Sequence, residues 1–237
     1  MIEFKSLASS SRGNAYVVTI GDKKILVECG IPFKKLQKML DFSIGDIDFC
    51  LVTHEHADHC RAVLDVLAYG IPIYMSEGTA LMLDLEEDVH ILLAKKTAEI
   101  HGCKILPFPV RHDAAEPFGY LICEASVAGN PESTADKLLF ATDTSNIEYR
   151  FPGLTEIAIE CNHDAALVDE EHTEPWQYRA MRNHMNIDTV LRYLHKTDLS
   201  TVRQIHLLHM SDRNSSETGF VGRVYREFGI PVAACGK

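Results

Sequence analysis

Thr53-His54-Glu55-His56-Ala57-Asp58-His59 sets three imidazoles and two carboxylates within six consecutive positions, directly after the apolar run Phe49-Cys50-Leu51-Val52. A β-strand ending there delivers the cluster to the edge of a sheet, and Ala57 to Leu67 then reads as a helix. His54 and His56 share one side of the extended part, because strand side chains alternate, while Asp58 and His59 leave on the new helix. Groups that lie close together but point in different directions suit two metal ions, one held by each pair. The plain alternative is a polar loop that happens to be rich in histidine. The order and spacing of the five side chains argue against it.

The rest of the chain frames that cluster. Met1–Leu7 reads as a strand, followed by a small polar loop, Ala8 to Asn14. Ala15–Ile20 and Lys24–Cys29 form a hairpin across Gly21-Asp22-Lys23, and Glu28 ends its second arm as a carboxylate in an apolar setting. Phe33–Leu40 has helical periodicity. After the cluster and its helix come a strand at Ile71–Met75 and a helix at Ser76–Leu85. This β-α-β run implies a layered α/β core. Further strands are predicted near Val89–Leu93, Lys104–Val110, Phe118–Glu124, Lys137–Ala141, Glu156–Glu160, Ile205–Leu208 and Pro231–Ala234, with helices at Asp188–Leu194 and Thr218–Phe228. No repeat, low-complexity tract or long linker marks a boundary, so one domain over 1–237 is expected.

Composition narrows the classes. At 237 residues with 46% hydrophobic content, the chain can bury a sizeable core. It lacks any apolar run approaching the ~20 residues that span a bilayer, and its first residues show no secretory pattern. Seven scattered cysteines without a C-x-x-C pattern read as reduced thiols, so a cytoplasmic location without membrane partners is expected. The net charge of -11 argues against coating nucleic acid by bulk electrostatics. From Trp176 onward, however, nine Lys/Arg stand against five Asp/Glu, which leaves room for a local basic face.

Candidate ligands recur at later strand ends: His112, Asp143 and His209. Each alone is weak, since a lone His after a strand is usually structural and an Asp in Thr-Asp-Thr usually caps a turn. Following the cluster in this order, they make a site assembled from distant parts of the chain.

His-x-His-x-Asp-His, then an isolated His, an Asp and a final His, resembles the motif order of the metallo-β-lactamase-fold hydrolases. The resemblance spans Glu28 to His209. It implies an αβ/βα four-layer sandwich, two mixed sheets flanked by helices, with a dinuclear site at one edge. By that match His54, His56 and His112 hold one metal, Asp58, His59 and His209 the other, and Asp143 bridges them. Glu28 takes a supporting position usually filled by Asp. His56 stands where flavodiiron oxygen reductases carry Glu, and Asp143 stands where the best-known zinc β-lactamases carry Cys. Both departures argue against those chemistries. Ser6–Asn14, His112–Tyr120, Ala141–Thr144, Glu160–Asp164, Asn183–Asn186 and Leu207–Ser211 are similar to the small YycJ-type members, regarded as nucleases or phosphodiesterases.

Two divalent ions sharing a hydroxide suit phosphodiester cleavage, and His/carboxylate ligation accommodates Zn, Mn or Fe. Asp58 can orient the hydroxide. His163 and His184 are the candidate proton donors, though each also reads as an ordinary surface or supporting histidine. Ser9, Ser10 and Asn14 are candidate phosphate contacts, with Asn162 and Arg182, and Arg179 adds a second cation before His184. The expected function is a metal-dependent phosphodiesterase acting on nucleic acid, with a DNA exonuclease favoured. The alternatives are a thioester or lactone hydrolase on the same fold, a cyclic-nucleotide phosphodiesterase, or a binding module without turnover.

Overall fold

The computed structural model describes residues 1–125, 135–168, 178 and 181–236. Two sheets face each other. The first is ordered β1 (Ile2–Ser10), β2 (Gly13–Ile20), β3 (Lys23–Val27), β4 (Phe49–Leu51), β5 (Ile73–Met75) and β6 (His90–Ile91). The second runs β13 (Val232–Ala234), β12 (Gln204–Leu208), β11 (Glu156–Glu160), β10 (Lys137–Ala141), β9 (Phe118–Glu124), β8 (Cys103–Pro109) and β7 (Ala98–Ile100). Each is mixed. β1 to β3 are antiparallel and β3 to β6 parallel; β7 to β10 are antiparallel and β10 to β13 parallel.

Alternation along the strands builds the layers. On β4, Phe49 and Leu51 point to the inter-sheet core, where they meet Tyr120, Leu138 and Phe140 of the other sheet. Cys50 and Val52 point outward to Leu36 of α1 (Phe33–Met39), Val63 and Val66 of α3 (Val63–Ala68) and Ala80 of α4 (Glu77–Met82). Leu139, Ile157, Ile159 and Leu207 do the same on the opposite side, against Val190 and Leu194 of α5 (Ile187–His195) and Phe220 and Val224 of α6 (Glu217–Phe228). The expected αβ/βα sandwich is what forms. Among the described residues no helix is long and apolar enough to cross a membrane. All seven cysteines are free thiols.

Three local expectations are corrected. The polar loop at 8–14 is a tight hairpin, with β1 running to Ser10 and β2 starting at Gly13. Its small side chains are buried, and a shift in register between Ser6 and Ala8 accommodates them. The helix from Ala57 to Leu67 is two pieces, α2 (Ala57–Cys60) and α3. The His59 carbonyl accepts the Cys29 N–H, and the Ala62 N–H turns to the Cys29 carbonyl, so the helical ladder is interrupted. The edge strand β7 was not expected. Three residues are too few to show an alternating pattern.

Candidate active site

The site lies where strands of both sheets end. His54 and His56 follow β4, with Asp58 and His59 on α2; His112 follows β8, Asp143 β10, Glu160 closes β11, and His209 follows β12. Glu28, Asp143 and His209 leave their strands with φ of 66°, 45° and 51°. Such left-handed backbone is unfavourable for non-glycine residues, and strain of this kind concentrates at functional positions.

Three overlapping donor sets form among the described residues, the third joining Asp143 and His209 to Glu160 and His184. In the first, His56 Nδ1 lies 3.1 Å from His54 Nε2 and 3.2 Å from His112 Nε2. Nitrogens sharing one ion at ~2.1 Å stand roughly 3.0–3.4 Å apart, so the separation fits a common metal. Burial, then the neighbouring His59, holds His54 well below the ordinary imidazole range, and burial lowers His112. Both therefore offer free lone pairs. The second set is Asp58, His59, Asp143 and His209. Asp143 Oδ2 is 3.3 Å from His59 Nε2 and 3.7 Å from His112 Nε2, so one carboxylate faces both sets. His209 Nε2 is buried with no hydrogen-bond partner and sits 3.7 Å from Asp58 Oδ2. An orphaned, buried imidazole nitrogen beside the Asp58 carboxylate fits a cation.

Buried acids back these groups. Burial pushes Glu28 up, partly offset by His59, whose Nδ1 stands 3.6 Å from it; its carboxylate also accepts the Thr53 N–H. Glu160 has no exposed surface. Burial would raise it, but His184 at 2.5 Å overrides that and holds it at about 2. Its other oxygen accepts the Thr144 and Met185 N–H groups. Burial lowers His209, but Asp143, Asp58 and Glu160 outweigh it and lift the imidazole to about 10.

With this geometry, two histidine–carboxylate sets sharing Asp143, the chain can be compared with known proteins. A family model described as a β-lactamase superfamily domain matches residues 23–210. The chain belongs to the β-lactamase superfamily. Within it, the exodeoxyribonuclease YycJ of Bacillus anthracis is 30% identical, over 98% of this chain and 92% of that protein. The exodeoxyribonuclease WalJ of Streptococcus pneumoniae (serotype 2, strain D39) is 27% identical, over 90% and 83%. The metallo-β-lactamase fold protein YhfI from Bacillus subtilis superposes with a TM-score of 0.72 at 15% identity, covering 98% and 95%, a likeness of fold. The superfamily and the His/Asp clusters together point to divalent metal ions.

In the sequence Glu160 stands out only as the start of a family-like stretch, with no role of its own. Glu160 ends an apolar strand as Glu28 does, and that shared signal marks both. His184 ring packs 5.4 Å from His112 and 5.2 Å from His209, centroid to centroid, at the donor cluster. His163 and Arg182 line the same cleft as His184. His163 is buried, with Nδ1 lacking a partner, and burial lowers its pKa. Arg179 lies outside the described residues.

The expected phosphate contacts from the first loop are corrected. Asn14 has no exposed surface, and its amide bonds the Ser10 and Asp58 carbonyls and lies 3.1 Å from His59 Nε2. Ser9 Oγ accepts the His209 N–H at 2.8 Å, and buried Ser10 accepts the Arg12 N–H. The Asn162 amide likewise donates to the His209 carbonyl at 2.8 Å. Ser9, Ser10 and Asn14 steady the donors from behind because the hairpin turns their side chains inward, and half-buried Asn162 holds the His209 backbone from the end of β11.

Proposed function

We propose that this chain is a metal-dependent phosphodiester hydrolase acting on nucleic acid, an exodeoxyribonuclease in its first reading, built as one domain over 1–237 and working in the cytoplasm. The observation that carries the reading is Asp143 facing two complete donor sets, with the His184–Glu160 pair alongside. The nearly full-length likeness to two exodeoxyribonucleases supports the choice of substrate.

In this reading His54, His56 and His112 would hold one ion and Asp58, His59 and His209 a second, with Asp143 placed to serve either; Zn, Mn or Fe would suit the donors. Bound ions of this kind acidify water toward neutrality and offset charge on phosphoryl oxygens. Asp58, half-buried at the cleft, orients the attacking water. The water, having released one proton to solvent, bonds through its oxygen to phosphorus as the ester P–O bond breaks, and the departing oxygen takes a proton from His184. The donor is His184 and not His163, because among the described residues a carboxylate within hydrogen-bonding distance backs only the former. His163 and Arg182 contact the strand along the cleft, and Glu28 keeps His59 in place.

The test is a substrate panel on metal-stripped protein reloaded with Mn or Zn. The expected result is cleavage of bis-p-nitrophenyl phosphate and labelled DNA, abolished by EDTA and restored by metal. Metal-dependent hydrolysis of a thioester or lactone without phosphodiester turnover would overturn the reading.

A further inference from the structure

The cleft does not end at the donor cluster. The part holding His163, Arg182 and His184, about 680 Å³, is also walled by Ser145 and Thr189. The same two residues wall a second cleft of about 460 Å³, whose remaining lining includes Arg111, Arg150, Arg192 and Lys196. The two spaces therefore meet at Ser145 and Thr189. Chain connectivity ties the outer one to the site: Arg111 immediately precedes His112, and Ser145 follows Asp143 by two residues. The Ser145 N–H donates to the Arg111 carbonyl at 2.9 Å, fastening the two walls together. Thr189 and Arg192 of α5 and Lys196 at its C-cap follow one another at helical spacing.

Four cations around one concavity are unexpected in a protein of net charge -11. Among the described residues one of the four cations is paired with a carboxylate. Glu148 pairs with Arg111, and Asp188 pairs with Arg223 at 2.5 Å, on another helix. Arg150 is held by neutral groups: Nη1 donates to the Ile147 and Tyr149 carbonyls at 2.9 and 2.8 Å, and the guanidinium lies 4.0 Å from the Tyr193 ring centroid. Arg192 is held in the same manner, by Thr189 Oγ1 at 2.8 Å and the Asp188 carbonyl at 3.3 Å. Uncharged acceptors fix the direction of a guanidinium and leave its charge available. Fixed forked donors and an ammonium around a hollow match the tetrahedral oxygens of a phosphate.

We propose that this basic cleft is a phosphate subsite, which binds a phosphate of the substrate strand adjacent to the diester being cut. The inference rests on the phosphodiester reading of the neighbouring site and adds how a strand is held there. A terminal 5′-phosphate and an internal backbone phosphate share the required chemistry.

The test measures anisotropy of 3′-labelled single-stranded oligodeoxynucleotides on the metal-loaded protein, with phosphorothioate linkages to slow cleavage and with either a 5′-phosphate or a 5′-hydroxyl. Arg192→Gln/Lys196→Gln changes two exposed positions of α5. It should weaken binding roughly tenfold and reduce the slope of log K against log salt by about 1.4, two contacts at about 0.7 each. Lys34→Gln/Lys35→Gln removes the same charge from α1, in the opposite outer layer, and should leave binding within twofold. A loss confined to the 5′-phosphorylated strand assigns the cleft to the terminal phosphate, and a loss on both strands assigns it to an internal one. Equal binding by both double variants, or a wild-type protein that binds no strand, overturns the proposal. Wild-type protein that binds an unmodified strand but never cuts it contradicts the nuclease reading alone, and the subsite is still judged by the binding comparison.

Discussion

His184 Nδ1 sits 2.5 Å from Glu160, which leaves Nε2 as the ring's second proton-bearing atom, beside the donor cluster. Glu160 in turn is fixed by the Thr144 and Met185 N–H groups, so the imidazole is oriented by a carboxylate that cannot swing away. A proton donor held this way matters in proportion to how poorly the leaving oxygen departs on its own. His184→Ala should retain metal and fold but lower kcat on DNA roughly 10²–10⁴-fold. On bis-p-nitrophenyl phosphate, whose leaving group needs little protonation, the loss should be far smaller. Equal losses on the two substrates would remove His184 from proton transfer. The site was legible in sequence where its residues are neighbours: the 54–59 cluster announces itself. Glu160 was given no role, although like Glu28 it ends an apolar strand, because its partners His184 and His209 are 24 and 49 positions away. Ser9 and Asn14 were placed facing substrate because a Ser/Asn-rich stretch looks like a loop until burial shows which way it turns.

At the scale of elements, the donors depend on how the turn after β3 seats against α2. The Gly30 N–H donates to the Asn14 carbonyl and the Cys29 N–H to that of His59, at 2.8 and 2.9 Å. A β-carbon on Gly30 would lie 1.7 Å from the Asp58 carbonyl oxygen and 2.6 Å from the His59 nitrogen. Backbone atoms cannot yield as a side-chain tip does, so α2 would have to move and carry Asp58 and His59 with it. Gly30→Ala should cost about 3 kcal/mol, the upper end of overpacking, and lower Tm by roughly 6–12 °C. Thermal melts and elemental analysis check this; an unchanged Tm with full metal content would show that the contact is not critical. The same contact explains why α2 and α3 did not read as separate. The apolar spacing from Ala57 to Leu67 is continuous, and the break is made by hydrogen bonds from Cys29, on a distant part of the chain. Strands such as Phe118–Glu124 and Lys137–Ala141 were legible to the residue, since their alternation and flanking breaks are local.

At the scale of the molecule, two sheets pack face to face so that strand ends from both converge on one edge. Periodicity revealed the strands and family resemblance the two-sheet sandwich; the order of strands across each sheet was not legible, because pairing between distant strands leaves no local pattern. That convergence brings residues from His54 to His209 together as donor sets, with the basic cleft alongside. The central claim is that both donor sets must be filled for a nucleic acid strand to be cut. It is tested most directly by titrating metal-stripped protein with Mn or Zn while following cleavage of labelled DNA. Activity should remain near background through the first equivalent of metal and rise in step with the second. Full activity at one equivalent, or no DNA cleavage at any loading, would contradict it.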